Sequence, residues 1–249
     1  MATGRKNHVK KPDLERETWD LERRMNIRPK IKICCISSLE EAAMAVEFGA
    51  DAIGLVGKMP SGPGVIDDLL IAEIAASVPT GIDTFLLTSE SNAEDVIRHQ
   101  QRVNTTTVQI VDGLKEGSHA DIRRELPHVK VVQVVHVVDE AAVYESRSVA
   151  ESADFLLLDS GNPSLVVKEL GGTGRTHNWD ISKRIIDRSP KPVFLAGGLN
   201  PENVISAIQA AGPYGIDVCS GVRTDGRLDR SKLERFFAAV RRAAASVEH

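Results

Sequence analysis

The sequence predicts a (β/α)8 TIM barrel, an eight-stranded parallel barrel wrapped by helices. Three observations predict it. From residue 31 onward, short apolar, often β-branched runs alternate with helical patterns eight times. Roughly 220 residues hold all eight units, close to the usual size of such a barrel. The turn after the first strand carries cysteines, where a doubly wound open sheet usually carries a GxGxxG fingerprint.

The elements follow in order. Strand one is 31–36 and feeds a helix over 39–48. Ser38 with Glu41 three residues on has the form of a capping box, and Gly49 stops the helix. Strand two is 52–56, followed by a Gly- and Pro-rich loop over 57–64 and a helix over 67–76. Strands at 81–87, 106–111 and 129–135 alternate with helices at 93–101, 120–125 and 140–151. Strand six is 155–158; a long loop through Gly171, Gly172, Thr173 and Gly174 leads to a helix over 180–187. Strand seven is 192–196, and Pro201 opens a helix to 211. Strand eight is 216–219, and 233–245 is the closing helix. Residues 1–29 read as a charged extension, a flexible tail or one short helix over 14–25, ahead of a barrel over 30–249.

Composition limits the function. The chain has 249 residues, 42% hydrophobic and 27% charged, which suits one soluble globular domain. A net charge of -4 gives no basic field for nucleic acid or an anionic membrane, and no apolar run is long enough to span a bilayer. Cys34, Cys35 and Cys219 are too few for a disulfide framework, and vicinal Cys34 and Cys35 point apart in a strand. A reducing cytoplasm is the expected setting.

A barrel of this kind works at the C-terminal ends of its strands. The polar residues there are Cys34, Gln109, Asp112, Gln133, His136, Asp159, Asp217 and Cys219. Alternation puts Lys32 and Cys34 on one face and Ile33 and Cys35 on the other, so Lys32 and Cys34 point into the barrel. Cys34 and Asp159 come from nearly opposite sides of the ring, a placement suited to acid–base chemistry on one small substrate. Taken alone, Cys34 has the commoner fate of a free cysteine, plain burial, and Asp159 equally suits a cap for its own loop. Gly197 and Gly198 after strand seven, and Ser220, Gly221 and Val222 after strand eight, have the form of a phosphate cradle of exposed N–H groups. No metal-ligand cluster is visible, and no cofactor is expected.

These stretches together resemble the phosphoribosylanthranilate isomerase family. Lys32–Ser37 is similar to that family's KICGIT stretch, 157–160 to LLDS, 171–176 to GGTGKT, 195–204 to LAGGLNPENV, and 215–222 to GVDVSSGV. The resemblance spans 31 to about 243. It implies an Amadori rearrangement of an aminoaldose phosphate to an aminoketose phosphate in tryptophan biosynthesis, by an aldose–ketose isomerase. Asp159 is then the general acid that protonates the ring oxygen, and Cys34 the general base that removes the C2′ proton. Lys32, Gln109, Gly172, Gly174, Arg175 and Asp217 are the expected further substrate contacts. The expected partner is a phosphorylated sugar-amine small molecule, with neither nucleic acid nor membrane, for a monomer or homodimer.

The sequence also departs from the family. The second-strand loop lacks the arginine of the family's Ser-Pro-Arg-Tyr segment, leaving Lys58, Arg175 or Arg223 as substitutes. LQLHG becomes 108–113 without its histidine, and Cys35 stands where the family has glycine. An isomerase for a different N-ribosyl phosphate amine, and a non-catalytic phosphosugar-binding barrel, are the alternatives.

Overall fold

The computed structural model describes residues 28–60, 62–161 and 174–245. Residues 1–27 of the expected 1–29 extension and the Gly171–Thr173 stretch, Gly172 included, lie outside the described residues. The described residues form eight parallel strands closed in sequence order, β1 beside β8.

The strands are β1 Lys30–Ile33, β2 Ala52–Val56, β3 Asp83–Thr88, β4 Thr107–Ile110, β5 Lys130–His136, β6 Phe155–Asp159, β7 Val193–Leu195 and β8 Gly215–Val218. The helices are α1 Leu39–Phe48, α2 Asp68–Ser77, α3 Ala93–Val103, α4 His119–Glu125, α5 Ala141–Ala150, α6 Trp179–Arg188, α7 Val204–Ala211 and α8 Arg230–Ala245. Outward positions of the strands pack on the helices in one large apolar cluster, with Ile31, Ile33, Ile53, Leu55 and Ile216 at its strand side. Inward positions form a second cluster that includes Phe85, Val132, Val134, Leu157 and Phe194. This two-sided burial is why the strands read as nearly unbroken apolar runs.

Two boundaries that shift, and one hairpin that the sequence reading lacked, have clear physical reasons. Strand one ends at Ile33, not at 36, because Cys35 adopts a left-handed backbone at φ +62°. The helix expected from Pro201 begins at Val204. The Asn200 side chain accepts from the N–H groups of Glu202 and Asn203 at 3.0 Å each and holds a turn there. A small hairpin, β9 Arg223–Thr224 and β10 Arg227–Leu228, precedes α8. Asp225 and Gly226 make its turn, both at positive φ, and this Asp-Gly pair is a hairpin signature.

The expected capping box is half present. Ser38 Oγ accepts the Glu41 N–H at 3.2 Å, but the Glu41 carboxylate passes over Ser38 to the Ser37 N–H at 3.0 Å. It then binds Arg223 at 2.9 Å and the Leu228 N–H at 2.8 Å. Arg223 in turn donates to the carbonyls of Cys34 and Cys35. One buried ion pair thus ties α1, the hairpin and the end of β1 together. Arg223 is therefore a structural anchor, and its expected reach toward a substrate is not seen. The first strand is also held at its start: Arg28 pairs with Asp51 at 2.6 Å, and Asp51 accepts the Ile31 N–H at 2.8 Å.

Removing one partner of a buried pair strands the other's charge. Arg223→Met is expected to cost about 3–5 kcal/mol in urea denaturation. Burial pushes the Glu41 carboxyl up, but Arg223 and the Leu228 N–H more than offset it, so it lies below the ordinary value. Its stabilisation is therefore complete above the ordinary carboxylate range, about pH 4–5, and is lost as pH falls through the lower folded value. Urea midpoints followed down to about pH 3 should fall less in Glu41→Gln than in the wild type.

Candidate active site

The C-terminal mouth of the barrel opens into a partly enclosed cleft. Cys34, Gln109, Asp159, Gly174, Gly197, Gly198, Asp217 and Ser220 line it, so the fold brings most of the predicted residues together. Lys32 lies beneath them, fully buried.

The floor is an ionic group. Lys32 and Asp217 are lateral partners in the β1–β8 pairing, and Lys32 Nζ lies 3.0 Å from Asp217 Oδ2. The same ammonium is 3.4 Å from Cys34 Sγ and 5.2 Å from the centre of the Phe85 ring. Gly54 on β2 leaves the space: a Cβ there would stand 2.8 Å from Cys34 Sγ and 3.0 Å from Lys32 Nζ. Burial pulls Lys32 down, but attraction to Asp217 and then Cys34 more than offsets it, so the amine is held above its ordinary value. Burial also pushes the Asp217 carboxyl up, against the pull of Lys32. These two shifts oppose each other within one pair. At 3.0 Å, with a second acceptor on the amine, the ionised pair is the form the geometry favours.

Asp159 ends β6. Its Oδ1 accepts the Ser160 N–H at 2.7 Å, so it caps its own loop as well as facing the cleft. Burial pushes its carboxyl up, opposed by that N–H and by His136, with Asp217 adding to the rise. Two acceptor atoms at the cleft, Gln109 Oε1 and Asp217 Oδ1, are buried without a partner among the described residues. They are places for donors that a ligand brings.

The glycine turns form one wall. Gly197 and Gly198 sit at φ +82° and +62°, so an alanine at either is strained. A Cβ on Gly198 would also meet the Arg175 carbonyl carbon at 2.6 Å. Gly221 lies back-to-back with this turn: its Cβ would be 2.0 Å from Leu199 O. Ser220 reaches the cleft. Gly221 and Val222 are not among its lining residues; the Val222 side chain is in the core, and its N–H faces Cys219 O at 3.4 Å.

Other strand-end candidates fall elsewhere. Gln133 turns away, giving Nε2 to the carbonyls of Ile110, Asp112 and Val134 and accepting from His119. His136 donates to Val111 O at 3.0 Å and does not line the cleft. Asp112 caps Gly113, and Arg175 contributes its backbone beneath Gly198 while its side chain is exposed. Cys35 was expected on the outer face beside Ile33; instead it lines the cleft with Cys34, because its left-handed backbone breaks the alternation. The apolar wall of Val56, Met59, Leu87 and Val111 was missed. Its signal was available: Val56, Leu87 and Val111 stand two residues beyond the inward Gly54, Phe85 and Gln109.

A buried thiol and a buried carboxyl at the mouth of a closed (β/α)8 barrel, beside paired glycine turns, define a barrel enzyme. The family model described as N-(5′-phosphoribosyl)anthranilate (PRA) isomerase matches residues 31–239. N-(5′-phosphoribosyl)anthranilate isomerase 2 of Methanosarcina mazei is 34% identical over 209 residues, covering 83% of this chain and 92% of its own. The Halorubrum lacusprofundi isomerase is 35% identical over 211 residues, covering 84% and 95%. The crystal structure of the Thermotoga maritima isomerase superposes with a TM-score of 0.70 at 28% identity, covering 85% of this chain and 98% of that one. This chain belongs to the N-(5′-phosphoribosyl)anthranilate isomerase family.

Lys32→Met leaves Asp217 buried without its cation and is expected to destabilise by about 3–5 kcal/mol. The double variant Lys32→Met/Asp217→Asn should lose less than the sum of the two single losses. Urea denaturation of all four proteins reads the coupling.

Proposed function

We propose that this chain is a phosphoribosylanthranilate isomerase of tryptophan biosynthesis, with Asp159 as general acid and Cys34 as general base. The observation that carries the reading is a thiol and a raised-pKa carboxyl on one cleft, in a chain that matches the family from 31 to 239. Asp159 gives its proton to the furanose ring oxygen as the C1′–O bond breaks, leaving an open-chain iminium. Its environment suits the role, since burial keeps a carboxylic acid protonated to higher pH. The iminium acidifies the C2′ hydrogen. Cys34, as thiolate, takes that proton, and the enolamine tautomerises to the aminoketose. The Lys32 ammonium at 3.4 Å faces the sulfur that carries the charge.

The phosphate lies on the turns at Gly197, Gly198 and Ser220, with Gly221 and Val222 shaping the β8 turn from behind and Gly174 opposite Ser220. Gln109 Oε1 and Asp217 Oδ1 accept from sugar hydroxyls. The amine half faces Val56, Met59, Leu87 and Val111. No lysine or arginine is among the described residues lining this cleft, so the carboxylate of the amine half takes its cation from outside that lining, and Lys58, next in sequence to the lining Met59, is the candidate. A crystal structure of a phosphoribosylanthranilate isomerase in complex with reduced 1-(o-carboxyphenylamino)-1-deoxyribulose 5-phosphate superposes with a TM-score of 0.68 at 27% identity and supports this use of the mouth. No described helix is long and apolar enough to cross a membrane. We place the enzyme in the cytoplasm, as a monomer or homodimer.

Turnover of phosphoribosylanthranilate, followed by loss of anthranilate fluorescence, tests the reading. Cys34→Ala and Asp159→Asn should each lower kcat by about 10²–10⁴ while the thermal unfolding transition is kept. Full activity in either variant overturns the assignment. A folded wild type that binds a ribose phosphate but does not turn over this substrate favours a different amine.

A further inference from the structure

Two departures from the family's motifs meet in space. Cys35 stands where KICGIT has glycine, and Cys219 stands where GVDVSSGV has serine. They are 184 positions apart in sequence, yet Cys219 Sγ lies 2.8 Å from Cys35 Sγ. The β1–β8 pairing puts them there, since Ile33 and Val218 are lateral partners one or two residues before them. Adjacent strands lie about 4.8 Å apart, inside the Cα separation a disulfide tolerates.

The pair is reachable. Both cysteines line the catalytic cleft and also a second cavity, bounded by Ser37, Pro63, Gly64, Ser220, Arg223 and Gly226. Cys219 is only partly buried. The two thiols are also unlike. Hydrogen bonding to Cys219 and Cys34, with burial, raises Cys35 well above the ordinary thiol. The bond from Cys35 lowers Cys219; burial opposes this, and the Arg223 guanidinium adds to the lowering. Cys219 is thus the more readily ionised of the two and Cys35 the resolving thiol.

We propose that Cys35 and Cys219 form a reversible dithiol–disulfide site that latches the β1 and β8 loops when the protein meets a hydroperoxide. The Cys219 thiolate attacks the peroxide: an S–O bond forms, the O–O bond breaks, and hydroxide leaves and is protonated. Cys35 sulfur then attacks the sulfenic acid, an S–S bond forms, the S–O bond breaks, and water leaves. Two thiols and one hydrogen peroxide become one disulfide and two waters, with two electrons passing to the peroxide. A small dithiol reverses it. The link draws Cys219 and the adjoining Ser220–Val222 turn toward β1, away from Gly197 and Gly198. Oxidation therefore weakens binding at the phosphate end, a step that rests on the reading of those turns as the phosphate cradle.

The test oxidises the full chain with hydrogen peroxide, alkylates the remaining thiols, and maps peptides by mass. A Cys35–Cys219 link with Cys34 alkylated is expected, together with a several-fold rise in KM that dithiothreitol reverses. Inorganic phosphate affinity, measured by calorimetry, should weaken in parallel. Cys219→Ser and Cys35→Gly should keep the reduced-state turnover and lose both the link and the KM response. Both thiols alkylated after peroxide, or an equal KM response in Cys219→Ser, overturns the site. A link that leaves KM and phosphate affinity unchanged overturns the latch. Mapping needs no turnover, so failure of the isomerase assignment is read separately.

Discussion

The barrel closes where Lys32 lies beside Asp217, and the site depends on that seam. A parallel barrel must bring its first strand against its last, and here the closing register pairs these two residues. An unpaired ammonium at this depth is untenable, so the ion pair is a condition on closure as well as a product of it. A one-residue slip of β1 would send Lys32 among the helices and bring Ile33 inward. The same register carries Cys34 to the end of the strand, directly above the ammonium. The placement of Cys34 and barrel closure are thus set by one pairing, and Asp217 Oδ1, without a partner among the described residues, belongs to the ion-paired carboxylate itself.

Above that floor, the backbone does most of the remaining work. The turns after β7 and β8 approach so closely that Gly221 admits no side chain against Leu199 and Asn200. Gly197 and Gly198 adopt conformations that other residues reach at a cost of about 1–2 kcal/mol each. Close backbone turns of this kind can hold an anion by N–H direction rather than by side-chain charge.

The fold was legible because both faces of the strands are buried and most helices carry their own start signal. Asp67, Asn92, Ser118 and Asn178 each cap a helix from the position before it. The shared cleft of Cys34 and Asp159 and the glycine turns were legible from motifs that localise at strand ends. What escaped is tertiary or conformational. Alternation fails at Cys35 because φ is positive there, and no period-two argument contains that turn. Gln133 and His136 looked like site residues by position; neighbouring backbone carbonyls claim both, and only the packed structure supplies those. Glu41 read as a local cap, and its stronger partner, Arg223, lies 182 residues away.

Cys35 shows how these levels interact. The chain must turn sharply after Cys34 so that Ile36 can return to the β2 ladder, its N–H meeting Gly54 O at 2.9 Å. Glycine makes such a turn freely, whereas cysteine is strained there by about 1–2 kcal/mol. Arg223 offsets this by holding the carbonyls of Cys34 and Cys35, on the two peptides that flank the Cys35 Cα, by charge-assisted bonds of about 1.5–3 kcal/mol each. The turn is thus imposed from outside by a guanidinium that Glu41 fixes in place. A side chain is then carried at a position where the backbone alone would ask for none. Once there, the thiol shares the cleft wall with Cys219, while Gly64 packs closely against its base, with only 2.6 Å between a notional Gly64 Cβ and Cys35 Cβ.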